Sequence, residues 1–129
     1  GKRLYLACGS IAEQNAKPSV STSAPWREVI LTITKNRLGA TAVIDTHNKV
    51  IGIATDGDIR RMLENHSTYD HLTAEQIMGK NPITADVNTM ATEVAAVMQE
   101  KKITQIIITQ QTIYFGMVHL HDLYKEGIL

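Results

Sequence analysis

The chain has 129 residues, 43% of them hydrophobic and 20% charged, a composition of ordinary globular units, and a chain of this size buries about two thirds of its unfolded surface. Its 13 Lys and Arg balance 13 Asp and Glu, so no basic footprint invites nucleic acid, and the doublets Arg60-Arg61 and Lys101-Lys102 read as solvated faces. No apolar run approaches the ~20 residues a membrane helix needs, and the lone Cys8 excludes an internal disulfide, which fits a reducing, cytoplasmic setting.

The chain opens on Gly1-Lys2-Arg3-Leu4-Tyr5-Leu6, without an initiator Met or a signal-peptide pattern, as expected of a segment from inside a longer protein. Residues 1–9 read as a linker, and Ser10-Ile11-Ala12 as a short helical piece. After Pro18 comes an extended stretch, Ser19-Val20-Ser21. Trp26, Val29, Ile30, Ile33 and Arg37 then fall at helical spacing, with the Arg37 stem expected on the core edge. A buried strand over 41–44, a polar turn at Thr46-His47-Asn48, a strand over 50–54 and a helix starting near Asp58 follow. Residues 65–73 form a polar joint carrying His66 and His71. Thr73-x-x-Gln76 is a capping-box pattern that starts a short helix through Ile77-Met78. The series then recurs: extended Ile83-Thr84, a helix marked by Met90, Val94, Val97 and Met98, a strand over 105–108, a turn at Gln110-Gln111-Thr112, a strand over 113–118 and a helix starting near Asp122. Gly127 stands where a left-handed residue would end it.

The two series are copies. Gly52 and Gly116 lie 64 residues apart, as do Asp58 and Asp122, and Pro18 and Pro82; the same shift lays Ala42-Val43-Ile44 on Ile106-Ile107-Ile108 without a gap. The expected fold class is α/β (α+β), built of two β-α-β-β-α repeats over 10–66 and 67–128. Neither repeat has much core alone, so the two are expected to pack sheet to sheet with pseudo-two-fold symmetry.

Gly52-x-x-Thr55-x-x-Asp58 resembles the sugar-phosphate signature of cystathionine-β-synthase (CBS) domains, and the resemblance runs over roughly residues 10–128. In that family the hydroxyl and nearby amides hold phosphate and the Asp accepts hydrogen bonds from ribose hydroxyls. The chemistry is sound: a carboxylate can accept from both hydroxyls of a cis-diol, and a helix start offers unpaired N–H groups to phosphate. The same Thr55-x-x-Asp58 spacing is also a capping-box pattern, which needs no ligand. The stretches GIATDGDIRR (52–61) and HLHDLYKEGI (119–128) resemble the C-terminal CBS pair of D-arabinose 5-phosphate isomerases, which begin synthesis of the lipopolysaccharide sugar Kdo. That resemblance implies a sugar-isomerase (SIS) domain ahead of the linker 1–9. Copy two departs from the general pattern: His119 stands where many CBS domains put Ser or Thr, and His121 stands opposite Gly57.

The expected sites are therefore Thr55 with Asp58 and His119 with Asp122, in two clefts between the packed copies, with His121 and Arg60 as further ligand contacts. Arg60 and Arg61 read equally as solvated helix charges or a dimer salt bridge. His119-x-His121 on a strand would aim both rings the same way, but two ligands make no metal site, and none is expected. The methionines read as core filler, the tyrosines make no stacking platform, and Cys8 lies outside the repeats without a sign of activation. With no nucleophilic triad or phosphate-cradling Gly-rich loop, the chain is expected to be a non-catalytic module that requires no cofactor. Its expected ligand is a nucleotide or nucleotide-sugar: CMP-Kdo as the pathway's end product, or an adenosine nucleotide as CBS domains generally favour. A homo-oligomer through CBS–CBS contacts is expected as well. The rival expectation is an assembly element that dimerises the isomerase and binds nothing, and a third has His119 and His121 reach a neighbouring subunit's isomerase site.

Overall fold

The two runs of alternating strand and helix fold into separate sheets in the computed structural model, which describes residues 5–129. Contacts gather the chain into two compact units, Pro18–Pro82 and a second that joins the chain up to Lys17 with Ile83–Leu129.

In the Pro18–Pro82 unit, β1 (Ser19–Ser21) crosses over through α2 (Trp26–Asn36) to the parallel strand β2 (Ala40–Ile44), which turns back antiparallel into β3 (Val50–Thr55). The helix α3 (Asp56–Asn65) follows at once, then α4 (Ala74–Ile77) and β4 (Gly79–Lys80), giving the sheet order β1-β2-β3-β4. The β2–β3 turn is held by Asp45, whose Oδ1 accepts the N–H groups of His47 at 2.8 Å and Lys49 at 2.9 Å. Val29 and Ile33, four apart on α2, meet Val20, Val43, Ala54 and Met62 in one core, so the helical and strand periods of the sequence converge on it. Arg37 departs from its expected place in the helix. It is the C-cap at φ 59°, exposed, because the chain must leave the helix there to bury Leu38 and turn through Gly39 into β2.

The other unit repeats the plan with β5 (Thr84–Asp86), α5 (Ala91–Lys101), β6 (Gln105–Gln110), β7 (Ile113–His119) and α6 (Leu120–Lys125), in the sheet order β5-β6-β7. Its core holds Val94, Met98, Ile106, Ile108, Val118 and Leu123. Met90, expected inside the helix, is the N-cap of α5, and Gly127 takes up φ 74° just past α6. The helix α1 (Cys8–Ala12) belongs to this unit, although it lies at the other end of the chain.

The compact units are thus offset from the sequence repeats 10–66 and 67–128. The helix α1 packs on β6 and β7, held by Cys8 N–H to Thr89 O at 2.8 Å and Ala91 N–H to Leu6 O at 2.7 Å. The helix α4 packs on α2, α3 and β3, held by Ala74 N–H to Ala24 O at 2.8 Å and Trp26 N–H to Leu72 O at 3.1 Å. Cys8 and Gly9, assigned to the linker by sequence, open α1 and are buried; that linker falls in part on residues 1–4, outside the described residues. The glycines at the 64-residue repeat have a packing cause in these seats. A Cβ on Gly52 would run into Met78 Sδ and lie 2.7 Å from the Gly79 carbonyl oxygen, and one on Gly116 would lie 3.2 Å from Ala12 Cβ.

The β6–β7 hairpin closes through Gln111 at φ 52° and Thr112 at φ 70°. A two-residue turn with both residues left-handed suits Asn-Gly, and a β-branched residue is strained there. Thr112→Gly is therefore expected to stabilise the protein by about 1 kcal/mol, read as a rise in the urea midpoint at unchanged slope.

Candidate functional site

Each pair of expected site residues lies where a strand passes directly into a helix, β3 into α3 and β7 into α6. At the end of β3, Thr55 has extended backbone (φ −113°, ψ 170°) and caps α3. Its Oγ1 accepts from Asp58 N–H at 3.2 Å and donates to Asp58 Oδ2 at 3.0 Å. Asp58 Oδ2 also accepts from Thr55 N–H at 2.8 Å, which completes the capping box. The other carboxylate oxygen, Oδ1, accepts from Arg61 Nη2 at 2.6 Å. The Asp58 side chain keeps 12% of its surface exposed and that of Arg61 59%. Both line a cleft of about 110 Å³ with Met62, Asn65, Leu72 and Gln76.

At the end of β7 the same construction uses different atoms. Asp122 Oδ2 accepts from His119 N–H at 2.7 Å, the counterpart of the Asp58–Thr55 bond. The cap is an imidazole: His119 Nδ1 accepts from His121 N–H at 3.0 Å. Asp122 Oδ2 also accepts from Asn15 Nδ2 at 2.8 Å, and the same amide donates to Met117 O at 3.0 Å. Asp122 Oδ2 thus accepts both from the cap backbone and from the Asn15 amide.

The structure brings Thr55 to Asp58 and His119 to Asp122, as the repeat leads one to expect. It does not bring Arg60 to either carboxylate. Arg60 Nε lies 4.0 Å from Glu64 Oε1 on the exposed side of α3, and Arg61 is the arginine at Asp58. That preference was legible, since residues three and four apart share a helix face and residues two apart do not. Asn15 carried no sequence signal, because it meets Asp122 across 107 positions. The expectation that His119 and His121 share a strand face is corrected: β7 ends at His119, and His121 lies in the first turn of α6. Their rings stack instead, 5.0 Å between centroids and 6° between planes. Among the described residues no group of three or more His, Cys, Asp or Glu is placed to hold a metal ion.

The cap at α6 needs the unprotonated His119 Nδ1. Burial, then the neighbouring His121, lowers the His119 pKa from 6.5, and Asp122 opposes the shift. A histidine whose folded pKa is depressed contributes fully above its unfolded value and loses that contribution as pH falls through the folded one. Stability is thus expected to drop as pH falls below about 6.5, by no more than the ~0.5–2 kcal/mol of a cap. His119→Asn keeps a capping acceptor that does not titrate, and urea midpoints at pH 7.5 and 5.5 should lie closer together in that variant. Burial, with Asp86 adding, pushes the Cys8 thiol up to about 11.

The chain matches the CBS domain family over residues 12–65 and 74–128. Over 111 residues it is 39% identical to an uncharacterized protein of Rickettsia prowazekii, covering 86% of this chain and 34% of that protein. It is 28% identical over 130 residues to an arabinose 5-phosphate isomerase of Yersinia pestis, covering 100% of this chain and 40% of the isomerase. The chain thus spans two fifths or less of these relatives. Among solved structures, an uncharacterized conserved protein from Pyrococcus horikoshii superposes with a TM-score of 0.80 at 29% identity, covering 96% of this chain and 93% of that one. A CBS domain protein from Pyrobaculum aerophilum complexed with AMP also gives 0.80, at 20% identity and over 92% of this chain and 90% of that one. No helix among the described residues is long and apolar enough to cross a membrane.

Proposed function

The chain belongs to the CBS domain family, and from that membership we propose that it is the regulatory part of an arabinose 5-phosphate isomerase and holds a nucleotide by its ribose. One observation carries the reading: Asp58 and Asp122 occupy repeat-equivalent positions, each fixed by the N–H of the residue three before it, at 2.8 and 2.7 Å. A carboxylate so held is oriented in advance to accept from ribose hydroxyls, which lowers the entropic cost of binding. The Pyrobaculum protein, which shares the fold, is complexed with AMP, and this supports an adenosine nucleotide as the first ligand class. CMP-Kdo is the second, since it offers the same ribose diol and adds a sugar carboxylate. The isomerase is regulated to the extent that the ligand prefers one arrangement of the module over another.

Assembly without a ligand is the rival reading, and one observation favours it: Leu31 on α2 is 68% exposed and Leu63 on α3 is 49% exposed, apolar surface of the kind that subunits cover. Calorimetric titration of the chain with AMP, ATP, CMP and CMP-Kdo, alongside sedimentation of the free protein, separates the two. Heat from an adenosine nucleotide or from CMP-Kdo supports the ligand reading and identifies its class. A dimer that gives no heat with any of the four overturns it in favour of assembly.

A further inference from the structure

Resting on that reading, we infer that Arg61 makes the Asp58 site selective for phosphorylated ligands over the bare nucleoside. The first turn of α3 carries two carboxylates, Asp56 and Asp58. They offset the partial positive charge of the helix start, so a phosphate arriving there meets repulsion unless a cation accompanies it. Arg61 supplies that cation. Its guanidinium lies back over the first turn, beside Gly57: a Cβ at that position would be in ordinary contact with it, 3.4 Å from Nη2 and 3.5 Å from Nη1. Arg60, the neighbouring cation, is turned toward Glu64 instead.

Arg61 Nη2 now takes Asp58 Oδ1 at 2.6 Å, the oxygen a ribose hydroxyl would use. A ribose hydroxyl donating to that oxygen competes with Arg61. The side chain is mostly exposed and borders the α3–α4 cleft, so it has room to swing. A nucleoside that breaks the ion pair leaves the guanidinium without a partner. A nucleotide offers its phosphate, which a planar guanidinium can grip through two N–H groups at once. The exchange of one anionic partner for another turns an obstacle into a selectivity device. The Asp122 site is built without it: Lys125 stands 64 residues after Arg61, yet the group on Asp122 is the uncharged Asn15 amide.

The test isolates the Asp58 site in an Asp122→Asn background and compares that parent with the same chain carrying Arg61→Gln, each titrated calorimetrically with AMP and with adenosine. The parent should bind AMP roughly tenfold or more tightly than adenosine, the size of one charge-assisted contact. Arg61→Gln should bring AMP down to the adenosine level, while adenosine binds as well as before or better because the carboxylate is released. The side chain is exposed, so the fold should tolerate the change, and a melting curve checks this. An Arg61→Gln chain that keeps the AMP preference, or a parent that binds both equally, overturns the selectivity while leaving the ribose site standing. A parent that binds neither overturns the ribose site itself.

Discussion

Leu72→Ala lowers the stability of the Pro18–Pro82 unit by about 2–5 kcal/mol, and Ile11→Ala does the same to the unit built around Ile83–Leu129. The expectation runs against the sequence repeats, in which Leu72 belongs to the second copy and Ile11 to the first. It follows from burial: Leu72 is 4% exposed in the core of Val20, Val29 and Val43, and Ile11 is 3% exposed in the core of Val94, Ile106 and Val118. Truncating either leaves a cavity as well as losing transfer free energy. Native-state hydrogen exchange reads the two units separately. Leu72→Ala should lower protection first at Ala42, Val43 and Ile53, and Ile11→Ala first at Ile107, Ile108 and Met117. The reverse assignment would contradict the offset of α1 and α4 between the units.

The double variant Asp58→Ala with Asp122→Ala should abolish nucleotide binding. Two charge-assisted hydrogen bonds from a diol to one carboxylate contribute about 3–6 kcal/mol together, which is more than a hundredfold in affinity. Each substitution also removes half of a capping box, so the free protein should melt lower by an amount equivalent to about 0.5–2 kcal/mol per cap. The informative quantity is the shift that ligand adds to the melting midpoint, since binding to the native state stabilises it by mass action. That shift should vanish in the double variant, and each single variant should lose only the part owed to its own site. A ligand-induced shift of undiminished size in the double variant would place the ligand away from both carboxylates.

Much of this architecture was legible in the chain. The 64-residue spacing aligns elements that reappear as equivalents, from the Ser19–Ser21 strand to the helix starts at Asp58 and Asp122, and local patterns alone mark the capping box of Thr73 and Gln76 and the left-handed Gly127. Local rules suffice for these because a period, a cap or a turn involves neighbours only. What escaped the sequence depends on contacts across long separations. Cys8 stands outside the repeats along the chain and is buried because α1 packs on β6 and β7, some hundred positions later. Asn15 reaches Asp122 the same way. Gly52 illustrates a different difficulty. It stood out as part of a ligand signature, and the structure gives it a steric cause in the approach of Met78 and Gly79. The capping pattern and the ligand pattern at Thr55 and Asp58 likewise proved to share atoms: the carboxylate caps the helix through Oδ2 and meets its charge partner through Oδ1. Spacing alone does not divide one residue between two such roles.

The most direct measurement is a residue-resolved titration of the isotope-labelled chain with AMP, followed through backbone amide chemical shifts. The account predicts that the largest changes fall at residues 55–58 and 119–122, with Arg61 moving alongside the first group. Shifts confined to other surfaces, such as residues 71–80, or no shift at millimolar AMP or CMP-Kdo, would contradict it.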